Sequence, residues 1–368
     1  MSASSPLTAV AMSGGLDSSV VAWLLAERGE AVVGLSMLLW DHSGERVHGR
    51  CCSSLDLGDA KRVAAQAGIP HYTLKMDEEF RQHVVDPFVR DYLSGCTPSP
   101  CVRCNTFVKF DLLQERAARL GAAKVATGHY ARILAGPQGA ELHTAVDLDK
   151  DQSYYLFELS RAQLAAAAFP LGEMTKPEVR EIARRAGLVV AEKGESMEVC
   201  FVASGVREFV EGQIAEHPGR YGETPSDTAA EIRTAEGEKL GKGDPYYRYT
   251  VGQRRGLGVP SSKRLYVLQV LPEENAVVVG DDADLMAPGL TGERLHWIGE
   301  PPAGPVEVTV KIRSRHAGVA ALVRPQGSAD RRVEIDFAEP QRGVTPGQAA
   351  VFYQGTRVLG GCWITGRL

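Results

Sequence analysis

The sequence predicts an α/β protein: a doubly wound parallel sheet at the N-terminus, then a small β-rich domain and a C-terminal β-barrel. In the first half, apolar runs alternate with segments of helical periodicity, which is typical of a parallel sheet covered by helices on both faces. After a predicted helix at 206–217, short β-like runs are punctuated by Gly, Pro and Asp. With 368 residues, at roughly 150 residues per domain, we expect domains at 1–206, 207–274 and 275–368.

The individual elements are predicted from local patterns along the chain. Apolar runs at 7–12, 31–40, 71–76 and 123–133 predict strands, and the segments 18–28, 56–67, 78–93 and 106–121 predict helices. Two more segments predict helices before the pattern changes to short β-like runs: SRAQLAAAAF and TKPEVREIARRAG. RLYVLQVLPEENAVVVG predicts a hairpin, and GPVEVTVKIRSR, RRVEIDF and QAAVFYQGTRVLGGCWI predict strands of a small barrel.

Composition limits the class of protein. The first residues lack the basic and apolar regions of a secretory signal, and no apolar run is long enough to span a membrane, so we expect a cytoplasmic protein. Seven cysteines in such a chain indicate reactive or metal-binding thiols rather than a disulfide framework. The net charge of −5 is uneven, because residues 239–368 carry 17 Lys and Arg against 13 Asp and Glu, whereas the rest carries 24 against 33.

The segment AMSGGLDSS lies between the first predicted strand and the first predicted helix. A glycine turn there exposes the backbone N–H groups of a helix N-terminus, which attract an anion such as phosphate. A P-loop would need a lysine, and the sequence has none near this loop. We therefore expect neutral donors, with a divalent cation, Mg²⁺, offsetting the charge of Asp17. The donors would be the N–H groups of Gly14, Gly15 and Leu16 and the hydroxyls of Ser13, Ser18 and Ser19.

The motif SGGLDSS resembles the pyrophosphate-binding loop of the ATP pyrophosphatase superfamily. The resemblance implies cleavage of ATP to AMP and pyrophosphate, with adenylation of a carbonyl-type oxygen. Attack then falls on the α-phosphorus, so no lysine is needed to carry a γ-phosphoryl group.

The cysteines indicate a second chemical step after adenylation. Cys101 and Cys104 lie in a Pro-rich loop just before a predicted helix, and the positive end of that helix would lower the pKa of the Cys104 thiol. Cys200 lies far along the chain, and a nucleophilic thiolate with a distant second thiol suits sulfur transfer to an activated carbon. A structural zinc site and an iron–sulfur cluster on Cys101, Cys104 and Cys200 remain alternatives, with Cys51-Cys52 as a source of a fourth ligand.

The family is indicated by eight segments in order over nearly the whole chain: AMSGGLDSSV, GLSMLLW, TPSPCVRCNTFVKF, ATGHYAR, DKDQSYYL, EVCFV, YTVGQRRGLG and VTPGQAAVFY. Together they resemble the tRNA-specific 2-thiouridylases, which place sulfur on C2 of the wobble uridine of tRNA. The resemblance implies a tRNA-uridine 2-sulfurtransferase that uses ATP and Mg²⁺. Its partners would be the tRNAs for Lys, Glu and Gln and an upstream persulfide donor protein.

The resemblance also assigns roles to residues of this sequence. Cys104 corresponds to the nucleophile and Cys200 to the cysteine that carries persulfide sulfur, and the two are expected to form a disulfide during turnover. Asp17 is expected to serve adenylation. The ATP-contacting positions are Ala11, Met12, Ser13, Gly14, Gly15, Leu16, Asp17, Ser18, Met37 and Gly128. The tRNA-contacting positions are Ser99, Pro100 and Cys101 at the target base, and Lys150, Asp151, Gln152, Arg313 and Ser314 elsewhere.

One departure from the family pattern leaves the acid/base group open. Many members have Asn-Pro-Asp where this chain has Ser99-Pro100-Cys101, so a thiol replaces a carboxylate. Two other hypotheses for the chain also stay open: a non-catalytic RNA-binding scaffold with a vestigial nucleotide loop, and a related enzyme that delivers sulfur from an iron–sulfur cluster.

Basic residues lie in predicted turns of the C-terminal half. Because RNA affinity comes largely from neutralisation of phosphates, they indicate that this half binds the tRNA. They are Arg254, Arg255, Lys263, Arg264, Arg313 and Arg315.

Overall fold

The computed structural model describes residues 6–40, 54–194, 199–202, 205–222, 228–261, 263–327 and 331–368. The chain divides into two compact units. The first comprises Met1–Val85, Pro100–Ala203 and Thr356–Val358, and the second comprises Asp86–Ser99, Ser204–Gly355 and Leu359–Leu368. No helix within the described ranges has both the length and the apolar character needed to cross a bilayer.

A five-stranded parallel sheet forms the centre of the first unit. Its strands are β1 (Leu7–Ala11), β2 (Val32–Leu38), β3 (His71–Lys75), β4 (Ala122–Ala126) and β7 (Ala167–Ala168). They lie in the order β3-β2-β1-β4-β7, so the chain reverses its winding direction between β1 and β4. Ligands of such sheets bind at the carboxyl ends of the strands at this reversal.

Helices cover this sheet, and an apolar core lies between α1 and the strands. Val20, Val21 and Ala22 of α1 are fully buried in this core. The helices of the first unit are α1 (Leu16–Glu27), α2 (Ser54–Gln66), α3 (Asp77–Phe80), α5 (Pro100–Arg103), α6 (Leu113–Arg119), α7 (Arg161–Ala165) and α8 (Lys176–Arg185).

Two stretches of the first unit are wound more widely than an α-helix. Arg81–Val85 continues α3, and Cys104–Leu112 joins α5 to α6. In the second stretch the Leu113 N–H donates to the carbonyl of Val108, five residues earlier. Such turns occur often at functional sites.

An antiparallel hairpin completes the first unit. It consists of β5 (Ala131–Gly136) and β6 (Gly139–Thr144), and Arg357 and Val358 pair with β6.

Among its described residues, the second unit has two α-helices and a four-stranded sheet. The helices are α4 (Asp86–Leu93) and α9 (Val206–Glu216), and Phe88 and Phe209 pack edge to face between them. The sheet has the order β10-β11-β8-β9, made of β8 (Glu231–Thr234), β9 (Lys239–Lys242), β10 (Tyr266–Leu271) and β11 (Ala276–Gly280).

A six-stranded barrel forms the rest of the second unit. The strand order is β12-β15-β14-β13-β16-β17, and β12 also pairs with β17, which closes the barrel. Inward-facing side chains such as Val310, Ile335 and Phe352 fill its interior. The strands are β12 (Met286–Trp297), β13 (Val306–Lys311), β14 (Val319–Gln326), β15 (Arg332–Arg342), β16 (Ala349–Gln354) and β17 (Arg357–Arg367).

The predicted fold class is confirmed, with three local corrections. The apolar run 123–133 is two strands, because Thr127–Tyr130 leaves the sheet after β4. The segment SRAQLAAAAF is helical only in Arg161–Ala165 and then forms the edge strand β7. The helix predicted at 106–121 begins at Pro100, which suits a first helical turn because proline has no N–H to leave unsatisfied.

Within the second unit, the barrel holds the segment that carries Ser99. The Thr97 N–H donates to the carbonyl of Pro346 at 2.8 Å, and the Gln348 side chain donates to the carbonyl of Thr97 at 2.8 Å. Gly347 lies between them with φ +87°, and a Cβ there would lie 2.9 Å from the backbone N and O of Thr97. The motif VTPGQ therefore fixes the residues that lead to the predicted base contact.

Gly347→Ala is expected to destabilise the second unit. The left-handed backbone costs about 1–2 kcal/mol for a residue with a Cβ, and overpacking against Thr97 adds about 1–3 kcal/mol. Gly355→Ala is the matched control, because Gly355 has φ +59° but open space around it. Denaturant unfolding of both variants measures the difference, and equal losses of stability would show that the contact with Thr97 is unimportant.

Candidate active site

The loop between β1 and α1 has the form of an anion cradle. Helix α1 begins at Leu16, and no side chain of the described residues caps its start. Ser18 Oγ accepts from the Ser13 N–H at 3.1 Å and lies 3.1 Å from Ser13 Oγ, so these two residues hold the loop closed. Gly14 has φ +74°, and a Cβ there would lie 2.0 Å from the carbonyl oxygen of Asp56. Only glycine fits at this position.

A buried hydroxyl at the same place is left unsatisfied. Ser19 is fully buried, and its Oγ has no hydrogen-bond partner among the described residues. An orphaned buried hydroxyl costs stability unless a ligand satisfies it. The cradle and this hydroxyl together fit a bound phosphate group.

Asp17, in the first turn of α1, is paired with a lysine. Lys176 Nζ lies 2.7 and 2.8 Å from the two carboxylate oxygens of Asp17, and the Tyr130 hydroxyl donates to Oδ1 at 3.0 Å. Lys176 is the first residue of α8, and its N–H donates to Asp147 at 2.8 Å. Glu178 accepts from the Thr175 N–H at 2.7 Å and fixes the start of α8.

A second lysine contacts the glycine turn itself. Lys193 Nζ donates to the carbonyl of Gly14 at 2.9 Å and to the carboxylates of Asp56 and Asp59. Burial opposes its charge, but the hydrogen bonds to the two aspartates outweigh burial and raise the pKa of Lys193. This lysine therefore stays protonated and ties the loop to α2.

These two lysines are charged neighbours of the loop that the sequence analysis, which expected neutral donors for the phosphate, did not identify. Sequence reasoning missed them because they lie about 160 and 180 residues from the loop along the chain. The only local signal was the predicted helix TKPEVREIARRAG, whose first turn carries Lys176. Lys176 already offsets the charge of Asp17, so Mg²⁺ is not required for that purpose alone.

The loop after β4 closes the other side of the cradle. A Cβ on Gly128 would lie 2.8 Å from Cβ of Asp17 and 2.9 Å from the N of Ser18. The structure therefore brings Gly128 against the start of α1. Met37, at the end of β2, is half-buried and packs against the apolar core on the face of β1 that carries Ala9 and Ala11.

Cys104 lies inside a continuous helical stretch, not at its beginning. The first turn is Pro100–Arg103, so the exposed Cys101 occupies the positive end and Cys104 lies one turn later, 9% exposed. The field of a helix terminus falls off within the first turn. The expected position of Cys104 at the start of the helix is therefore corrected: Cys101 lies in the first turn, and Cys104 lies one turn later.

The surroundings of Cys104 and Cys200 meet at the helix that contains Phe80 and His83. Phe201, next to Cys200, packs edge to face on Phe80 with ring centroids 5.5 Å apart. Arg103, next to Cys104, donates to the carbonyl of His83 at 2.8 Å. Two segments far apart in sequence thus pack on a single short stretch of helix within the first unit.

The described residues offer no metal-binding arrangement that would support the zinc site or the iron–sulfur cluster. Within them, no group of three or more His, Cys, Asp or Glu side chains has an arrangement that could hold a metal ion. Cys51 and Cys52, considered as a source of a fourth ligand, lie outside the described residues.

Known proteins match the chain along almost its whole length. The model of the tRNA methyl transferase HUP domain matches residues 7–204. The tRNA methyl transferase PRC-barrel domain matches residues 222–281, and the aminomethyltransferase beta-barrel domain matches residues 288–364.

Curated relatives decide the family. The tRNA-specific 2-thiouridylase MnmA of Solibacter usitatus is 49% identical over 370 residues, covering 97% of this chain and 98% of the relative. The MnmA of Geobacter metallireducens is 49% identical over 364 residues, covering 96% and 95%. The chain belongs to the tRNA-specific 2-thiouridylase family. A third MnmA, from Geotalea uraniireducens, is 47% identical over 362 residues, with 96% and 94% covered.

Two of the predicted tRNA contacts also hold the site together. The Asp151 carboxylate accepts from the Ala145 N–H at 3.0 Å and from the Ser153 hydroxyl at 2.8 Å. Gln152 accepts from the Tyr130 N–H at 2.9 Å, and Tyr130 in turn donates to Asp17. Lys150, beside them, is half-buried.

The predicted tRNA contacts in the second unit are accessible. Arg313 is exposed, its guanidinium donates to the carbonyl of Arg342 at 3.2 Å, and Ser314 is half-buried. Five further basic side chains of the second unit are exposed and can approach phosphates: Arg254, Arg255, Lys263, Arg264 and Arg315.

Proposed function

We propose that the chain catalyses ATP-dependent 2-thiolation of the wobble uridine of tRNA, giving 2-thiouridine, AMP and pyrophosphate. The observation that carries the proposal is the cradle at Gly14, with the paired Asp17 and Lys176 beside it, in a chain of the 2-thiouridylase family. We further propose that residues 1–206 hold the chemistry and that 207–274 and 275–368 bind tRNA.

ATP fits the cradle. The residues proposed to hold it are Ala11 to Ser18, Met37 and Gly128, with pyrophosphate at the N-terminus of α1. Mg²⁺ is held in nucleotide sites by one or two carboxylates together with phosphate oxygens, and Asp17 would be the carboxylate here. When bound, the ion would neutralise phosphate charge.

The first chemical step makes C2 of uracil reactive. The C2 oxygen is a poor leaving group, so we propose that it attacks the α-phosphorus and that pyrophosphate departs into the loop. Lys176 and the N–H groups at Gly14 and Gly15 stabilise the leaving charge. The base must leave its stack to reach this point, and Ser99, Pro100 and Cys101 would hold it.

Sulfur then replaces the adenylated oxygen. A persulfide on Cys200, loaded by a donor protein, supplies the terminal sulfur, and AMP leaves. If the persulfide attacks C2 directly, the Cys104 thiolate attacks Cys200 Sγ and the electron pair of the S–S bond passes to the sulfur on C2. If Cys104 attacks first, hydrosulfide is released and attacks C2. Both routes leave a Cys104–Cys200 disulfide, which a dithiol reductant returns to two thiols.

Nucleoside mass spectrometry tests the proposal. Unmodified tRNA incubated with the protein, ATP, Mg²⁺ and a persulfide donor should yield 2-thiouridine, with pyrophosphate released only when tRNA is present. Chromatography separates 2-thiouridine from 4-thiouridine, so the measurement identifies the modified atom. A non-catalytic scaffold would bind tRNA and release no pyrophosphate, and that result would refute the proposal.

A further inference from the structure

A chain of polar groups runs from the helix of Cys104 to the loop after β4. Lys109 Nζ donates to Asn105 Oδ1 at 3.0 Å and lies 3.5 Å from His129 Nε2. On its other side, His129 Nδ1 lies 2.7 Å from Thr127 Oγ1. Asn105, Thr127 and His129 are all buried. Buried polar groups are costly unless each is satisfied, so this arrangement is tightly specified.

The chemistry of the donors fixes the proton positions. An ammonium group only donates, so Nε2 of His129 must accept, and Nδ1 must carry the proton and donate to Thr127. Burial first, and then the charge of Lys109, hold the pKa of His129 well below its usual value. His129 is therefore a neutral imidazole, and Phe110 and Phe169 pack on its ring with centroids 5.8 Å away.

The two ends of the chain of polar groups lie at the two chemical centres of the first unit. Asn105 is the residue after Cys104, on the widely wound stretch of helix. At the other end, Gly128 lies between Thr127 and His129 and is packed against Asp17 and Ser18. These contacts therefore link the loop after β4 to the helix that carries Cys104.

A branch reaches the predicted tRNA contacts. The Asn105 amide donates to the carbonyl of Tyr155 at 3.1 Å. Tyr155 belongs to the short helix Ser153–Leu156, which directly follows Gln152. Asn105 thus contacts both Lys109 and the segment after the tRNA-contacting residues.

We propose that Lys109 is a positioning residue that couples adenylation to sulfur transfer. It does so by holding the helix of Cys104 in a fixed position relative to the loop after β4. The inference rests on the proposed function and adds a residue to it. Lys109 is half-buried, and its Nζ lies between the Asn105 side chain and the ring of His129, so it is placed to hold these two groups together. A displacement of about 1 Å at a reacting group can cost about 100-fold in rate, and that cost would fall on the sulfur step.

The test compares two products in one reaction. Lys109→Met keeps the length of the side chain and removes its charge. In a single turnover, with the protein in excess over tRNA, we expect the rate of tRNA-dependent pyrophosphate release to fall by less than about fivefold, whereas the rate of 2-thiouridine formation falls about 100-fold. The ratio of the first rate to the second, near one for the unchanged protein, should rise at least about tenfold. Lys109→Arg retains the charge and should bring the ratio back toward one.

Lys124→Met is the matched control, because Lys124 is an exposed lysine of the same unit, and its ratio should stay near one. Equal losses of both products in Lys109→Met, or no loss of either, would overturn the coupling role. If Lys109→Met fails to fold, Lys109→Gln carries the same test, because it removes the charge and keeps a donor. If the unchanged protein makes no 2-thiouridine, the proposed function itself fails, which is a different result.

Discussion

Cys104→Ser and Cys200→Ser are each expected to reduce 2-thiouridine formation by about 1,000-fold or more, because removal of a nucleophile that acts as part of a unit removes most of the catalysis. A serine hydroxyl cannot carry a persulfide, and it cannot close a disulfide. Binding of tRNA and ATP should remain nearly intact, since neither thiol belongs to the cradle at Gly14. The measurement is mass spectrometry of tRNA nucleosides, with filter binding for tRNA affinity.

The double variant should be no worse than either single variant, because both cysteines serve the same step. Cys96→Ser is the matched control: burial first, and then the charges of Asp91 and Glu293, raise the pKa of the Cys96 thiol to about 11, so this thiol stays protonated at neutral pH. We expect this variant to keep its activity. Full thiolation by Cys200→Ser with a persulfide donor would require a different sulfur carrier.

Periodicity and turn residues were sufficient to predict the fold class, because both report directly on burial. β1 ends in three buried residues and is followed by a glycine turn, and β10 and β11 form the antiparallel hairpin that their apolar runs predict. Local errors in the predicted secondary structure arose where neighbouring residues favour a helix and packing in the folded chain imposes a strand. The alanine run after Arg161 is an example, since Ala167 and Ala168 complete the edge of the sheet beside β4.

The site was predictable only where its residues are contiguous. The cradle at Ser13 to Ser18 and the cysteine segment could be predicted from motifs, but the charge around them could not. Lys176 and Lys193 come from distant parts of the chain, and Tyr130 reaches Asp17 from the loop after β4. No local pattern identifies a lysine that will pair with a distant aspartate, because its partner is determined by topology. The sequence therefore predicted the loop and Asp17, but not the lysines that contact them in the folded chain.

Asp17 and Lys176 are expected to act as one unit in adenylation. Removing a charged group that stabilises a developing anion typically costs about 100- to 1,000-fold in rate, so Asp17→Asn and Lys176→Met should each slow tRNA-dependent pyrophosphate release by about that amount. If Asp17 orients Lys176 toward the leaving pyrophosphate, the double variant should lose scarcely more than either single variant, since the second change removes a group that is already misplaced.

Stopped-time assays of pyrophosphate release give the three rates, and they separate this pair from the cysteines, whose loss falls on the sulfur step. The matched control is Lys75→Met, because Lys75 and Asp77 form an exposed ion pair 3.6 Å apart in the same unit, and exposed pairs contribute little. Additive losses in the double variant would mean that the two residues act separately. Unchanged pyrophosphate release in Lys176→Met would leave the carboxylate of Asp17 to act with Mg²⁺ alone, and the lysine would then serve only to hold α8 beside the loop.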